Sequence, residues 1–194
     1  MIPVCTFFLT VLICLNFSFN YLFPKMSYYL VLNSHSFYTR KMYYVLITYT
    51  FTHLHINHFI SNIIFFLTCG CIVELHVANF KIMLFFYLSS MIATGIYALI
   101  YTCTNPLQIS LGASGVVCAL LGFYFTHIFL FWKNLSTLME ELCNMSIICL
   151  SIYLFILFIQ FYMQMNKNGI INHKNHLCGF LYGSCFCFVY WLVV

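Results

Sequence analysis

No aspartate occurs anywhere in this chain, and its three glutamates are Glu74, Glu140 and Glu141. A Ser-His-Asp triad therefore cannot be assembled. The zinc-protease pattern H-E-x-x-H is absent as well. Glu74 follows His58 by 16 positions, about 24 Å along a helix, so it falls at the other end of any span that carries both. Cations are nearly as scarce. Lys25, Arg40, Lys41, Lys81, Lys133, Lys167 and Lys174 are scattered, with no basic block of the kind that grips nucleic acid. Charged residues make up 5% of the chain, against about 25% in soluble domains. That deficit excludes a soluble globular fold.

What is present is apolar. Hydrophobic residues account for 64% of the 194 positions, and a bilayer span needs about 20 of them in a row. Hydropathy and its breaks predict six spans, at 3–23, 57–75, 80–101, 114–132, 144–163 and 176–194. The fold class expected is all-α: a polytopic six-helix membrane bundle forming a single domain over 1–194. The first run lacks a basic n-region and an A-x-A site and is too long for a signal peptide, so it counts as the first span. In the connection 24–56, the stretch "YYVLITYTF" is too short to cross, and is expected at the interface or re-entering the membrane. Most of the eleven cysteines lie inside the apolar runs, where they act as small hydrophobes. The pairs Cys69/Cys71 and Cys185/Cys187 are two apart and face different ways on a helix. No metal or cofactor is expected.

Six spans place the connections 24–56, 102–113 and 164–175 at one membrane face. Three polar motifs converge there. "GASG", Gly112 to Gly115, sets Ser114 where a loop enters a helix; the N–H groups at that terminus suit a developing oxyanion. "HLCGFLYG" starts at His176 and carries Gly179 and Gly183, a GxxxG that allows close helix approach. Gly115, Ala119 and Gly122 form a matching small stripe. Together Gly112, Gly115, Gly179 and Gly183 are read as turn and packing glycines that bring His176 to the Ser114 hydroxyl. In "FTHLHINHFISN", His58 and Asn62 are i and i+4 and share a helix face, where both can donate to an oxyanion. Without an acid to steady the imidazolium, Ser114 would work in a Ser-His dyad that leans on those donors.

In combination these motifs closely resemble the rhomboid intramembrane serine proteases. The resemblance rests on "THLHINHFISN" (His53, His58, Asn62), "GASGVVCALLG" around Ser114 and "HLCGFLYG" from His176, supported by "TYTFTH" and "GCIVELHVANFKI". It covers residues 44–194 in order. The resemblance implies Ser114 as nucleophile and His176 as general base, then acid. It also implies an oxyanion hole from His58, Asn62 and the Ser114 N–H, with His53 and Glu74 structural. The implied partners are single-span membrane-protein substrates within the lipid bilayer, and not nucleic acid; span 144–163 would be the lateral gate. The chain departs from the family pattern at Tyr44-Val45 (often Trp-Arg), at Cys118 (often aromatic) and at Asn175 (often alanine). A rhomboid-like protein that binds membrane clients without cutting them is the alternative, and retention of both Ser114 and His176 argues against it. The positive-inside rule sets five of the seven cations on the predicted site face, opposite to the family's usual orientation.

Overall fold

The computed structural model describes residues 2–104, 108–131 and 173–193. The expected fifth span, 144–163, lies outside them. The described chain is helical, with no strand: α1 (Val4–Leu22), α2 (Val45–Thr48), α3 (Ile56–Val77), α4 (Phe80–Thr104), α5 (Ser114–Phe131) and α6 (His173–Val193), with short 3-10 and π turns in the connection after α1. α1, α3, α4 and α6 are each long and apolar enough to cross a membrane, whereas the apolar part of α5 is shorter. The protein is a multi-pass integral membrane protein.

The turns between helices follow from local chemistry. α3 stops where Ala78 takes a left-handed conformation, φ 50°, and its N–H returns to the Glu74 carbonyl at 2.9 Å. Asn79 then caps α4, its Oδ1 accepting the Lys81 and Ile82 N–H groups at 3.0 and 3.3 Å. α1 has no capping side chain of its own. Its cap comes from α3. The Glu74 carboxylate accepts the N–H groups of Cys5 and Thr6, each at 2.8 Å, and the Thr6 hydroxyl at 2.7 Å. A carboxylate at the positive end of a helix is in favourable electrostatic contact, and this one is buried, with the Tyr87 hydroxyl 2.7 Å from Thr6 Oγ1. Gly70 makes room, since a Cβ there would lie 2.6 Å from the Tyr87 oxygen.

These contacts also set the directions of the helices. Thr6 of α1 meets Glu74 of α3 while Phe17 stacks on Phe59 at 4.0 Å, so α1 and α3 are antiparallel. Phe86 and Phe123 are 5.7 Å apart while Gly115 abuts Thr94, so α4 and α5 are antiparallel too. α5 and α6 run parallel, Gly115 against Gly179 and Ala119 against Gly183. Phe86, Phe123 and Phe186 close the core between α4, α5 and α6.

The connection after α1 re-enters the bundle. Val45, Tyr49, Thr50 and Thr52 are buried. Gly95 of α4 admits the segment: a Cβ there would lie 2.8 Å from the Leu46 carbonyl oxygen. Ser114 begins at the level of Thr94, ten residues short of the end of α4 at Thr104. At 1.5 Å per residue that is about 15 Å below the helix end, so α5 starts inside the bundle.

Candidate active site

The turn into α5 depends on Gly112, whose φ of +101° is one that side chains rarely adopt. A Cβ there would also lie 2.7 Å from His58 Cε1. Glycine thus permits the turn and lets the His58 ring lie against the backbone just ahead of Ser114. The first helical bond of α5 runs from the Val117 N–H to the Ala113 carbonyl at 3.0 Å. The N–H groups of Ser114, Gly115 and Val116 precede it and have no acceptor within the helix.

Three attachments hold this turn. Leu32 and Ser110 exchange backbone hydrogen bonds of 3.0 and 2.8 Å, the Gly112 N–H donates to the Tyr49 carbonyl at 2.9 Å, and the Ala113 N–H faces His53 Nε2 at 3.4 Å. His53 is buried, and its Nδ1 faces the Phe51 carbonyl at 3.4 Å. Between a carbonyl and an N–H the ring has one tautomer available, protonated at Nδ1 with the lone pair on Nε2. Burial, and then the nearby His58, push its pKa down to about 3. The imidazole is therefore neutral at physiological pH and stays an acceptor for the serine turn.

His176 Nε2 lies 2.8 Å from Ser114 Oγ. Helix spacing brings them together. A Cβ on Gly179 would collide with the Gly115 carbonyl, one on Gly183 with the Ala119 carbonyl, and one on Gly122 with the Phe180 carbonyl. The Ser184 hydroxyl adds a hydrogen bond to the Gly122 carbonyl at 3.2 Å. Small residues on both helices let the backbones touch, as at other close membrane-helix contacts.

The three clustered histidines have separate places. His53 sits under the serine turn, His55 is exposed ahead of α3, and His58 lies half-buried against Gly112, its ring centroid 5.2 Å from that of His53. Asn62 is buried, and its Nδ2 donates to the His58 carbonyl at 2.8 Å. One of its two amide hydrogens is thereby used within α3. Glu74 lies at the opposite end of α3, engaged with α1. It is the only side-chain carboxylate among the described residues, and no cluster of three or more potential metal ligands occurs among them. Of the other histidines, His76 and His127 pack together at that far end, centroids 4.6 Å apart.

Sequence reasoning did not single out Tyr49, Thr94, Leu32 or Ser110. Tyr49 supports the serine turn through its carbonyl, and its hydroxyl lies 2.7 Å from Thr94 Oγ1. Thr94 in turn packs against Gly115. The sequence signals for Tyr49 are its place in the short apolar stretch expected to re-enter and in the segment "TYTFTH" of the family resemblance.

Chemically, the site offers a hydroxyl hydrogen-bonded to an imidazole at a helix N-terminus with open N–H groups. Such an arrangement is chemically suited to activating a serine hydroxyl. No curated protein matches the chain in sequence. A family model described as Rhomboid domain matches residues 40–193, a range that holds His53, His58, Asn62, Glu74, Ser114 and His176. With most of its length under that match, the chain belongs to the rhomboid family.

Proposed function

We propose that the protein is an intramembrane serine endopeptidase in which Ser114 and His176 form a catalytic dyad. The observation that carries this reading is the 2.8 Å contact between His176 Nε2 and Ser114 Oγ. It has further support from a family made up mostly of intramembrane serine proteases that act on membrane-protein substrates in the bilayer.

In the proposed reaction His176 Nε2 takes the Ser114 proton as Oγ attacks a substrate carbonyl carbon. The oxyanion forms beside the first turn of α5 and the His58 ring, with the Ser114 N–H as the fixed donor. His176 then returns the proton to the leaving amine, and the C–N bond breaks. Water, deprotonated by His176, attacks the acyl ester, and Ser114 regains its proton as the ester opens. One Nδ2 hydrogen of Asn62 is held by the His58 carbonyl, and the second is assigned to the oxyanion in this reading. A peptide bond inside a helix must unwind before attack, so the expected substrates are single spans containing small or helix-breaking residues.

The test is cleavage of a panel of single-span reporters in liposomes by wild type, Ser114→Ala and His176→Ala. Cleavage by wild type alone supports the dyad. Cleavage that survives Ser114→Ala refutes it. If no protein cleaves any reporter while wild type still retains single-span proteins, client binding without proteolysis becomes the better account.

A further inference from the structure

The connection after α1 ends in a feature that the proteolytic reading does not use. His35–Thr39 forms a single π turn, closed by the Arg40 N–H on the His35 carbonyl at 3.2 Å. Asn33 fixes its base: its side-chain oxygen accepts the Ser36 N–H at 2.7 Å, and the neighbouring Ser34 hydroxyl bonds to the Thr102 carbonyl of α4 at 3.1 Å. At the tip stand Arg40 and Lys41, adjacent and both exposed.

Lys41 has a φ of 56°, a left-handed conformation unfavourable for a residue with a Cβ. Glycine or asparagine would adopt it more readily. A lysine there keeps two cations side by side at the cost of backbone strain. Tyr38 and Tyr43 flank the pair. Both are exposed, and both lie edge-on to the half-buried Phe37 at 5.1 Å. The tip is thus a dibasic turn between two anchored tyrosines, on a base tied to α4. Among the described residues the one side-chain carboxylate, Glu74, is buried at the opposite end of the bundle, away from this charge.

We infer that the Arg40–Lys41 tip binds the phosphate of an anionic phospholipid headgroup at the membrane surface on the serine side. Tyrosine concentrates at the level of the headgroups, and juxtamembrane cations are drawn to anionic lipid. The guanidinium supplies a planar fork for phosphate oxygens and the ammonium a second charge. An acidic polypeptide would be attracted by the charge but would not account for the exposed tyrosines on either side of it. The tip continues through Val45–Phe51, which holds the serine turn, and its base adjoins the Leu32–Ser110 bridge.

The experiment measures the association of spin-labelled phosphatidylserine and phosphatidylcholine with the full-length protein in vesicles. Wild type is compared with the double variant Arg40→Gln/Lys41→Gly; the glycine removes a charge while suiting the left-handed φ. Each surface cation contributes about a fivefold preference for anionic lipid, so the double variant loses a preference on the order of 20-fold. In wild type the preference shrinks as salt is raised. Lys81→Gln, which removes one exposed cation at the far end of α4, lowers it by no more than about fivefold. Equal association of the two lipids with wild type overturns the inference, as does an undiminished preference in the double variant or an equal loss in Lys81→Gln. Loss of polyglutamate binding without loss of lipid preference assigns the tip to an acidic polypeptide and also overturns it. Repeating the measurement in the Ser114→Ala background makes the outcome independent of catalysis.

Discussion

Gly183→Ala puts the link between helix spacing and chemistry to the test at a residue remote from the serine. Gly183 lies seven positions beyond His176, about 10 Å along α6, and touches neither dyad member. A methyl group there would collide with the Ala119 backbone carbonyl. A carbonyl oxygen on a helix cannot swing aside as a flexible side chain can, so α5 and α6 must part by roughly 1 Å to admit it. The same separation acts at the Gly115–Gly179 contact, one residue past Ser114, and stretches the 2.8 Å contact between Ser114 and His176. A displacement of about 1 Å costs on the order of 10²-fold in rate, and overpacking costs about 1–3 kcal/mol of stability. Turnover of a single-span reporter in liposomes and thermal unfolding in detergent read the two effects. Ser184→Ala is the control. It removes a hydrogen bond to Gly122 from the same helix face without widening the gap, and it should leave turnover within a few-fold of wild type. Wild-type turnover and unchanged unfolding in Gly183→Ala would refute the spacing argument.

Three further predictions concern His53, Glu74 and His58. His53 has a folded pKa of about 3 against an ordinary 6.5, so its contribution to stability is present above 6.5 and is lost as pH falls towards 3. By pH 5 the loss is about 2 kcal/mol relative to pH 7. Detergent-denaturation curves should show it in wild type and a smaller loss in His53→Gln, whose amide oxygen can still accept the Ala113 N–H; an identical pH dependence in the variant would contradict the assignment. Glu74→Gln keeps the shape of the α1 cap and removes its charge, which should lower stability by about 1–2 kcal/mol in thermal unfolding. His58→Ala should cut kcat by a factor on the order of 10²–10³ with little change in KM, the signature of a lost transition-state donor; a change in KM alone would make His58 a binding group.

Much of this was legible in the sequence because membrane spans and small-residue stripes are local patterns. The run boundaries predicted α1, α3, α4, α5 and α6 to within a few residues, and the Gly115/Ala119/Gly122 and Gly179/Gly183 stripes predicted which helices touch. The start of α6 three residues ahead of His176 was missed, since "HKN" carries no apolar signal. What holds the serine turn was also out of reach. The Leu32–Ser110 bridge and the Tyr49 carbonyl act through backbone groups, which every residue has, so identity gives no clue. Glu74 was placed correctly at the opposite end, but its work as the cap of α1 pairs positions 68 and 69 residues apart and leaves no periodic trace. Sequence also suggested Asn62 facing the serine; its amide is partly spent on the His58 carbonyl.

The central claim is that His176 activates Ser114. Intact-mass analysis after exposure to a serine-reactive fluorophosphonate tests it most directly, with wild type, Ser114→Ala and His176→Ala treated side by side. The account predicts one adduct on wild type, mapped to Ser114, and none on either variant, although His176→Ala keeps the hydroxyl. Labelling of His176→Ala at the wild-type rate, or an unlabelled wild type, would contradict it.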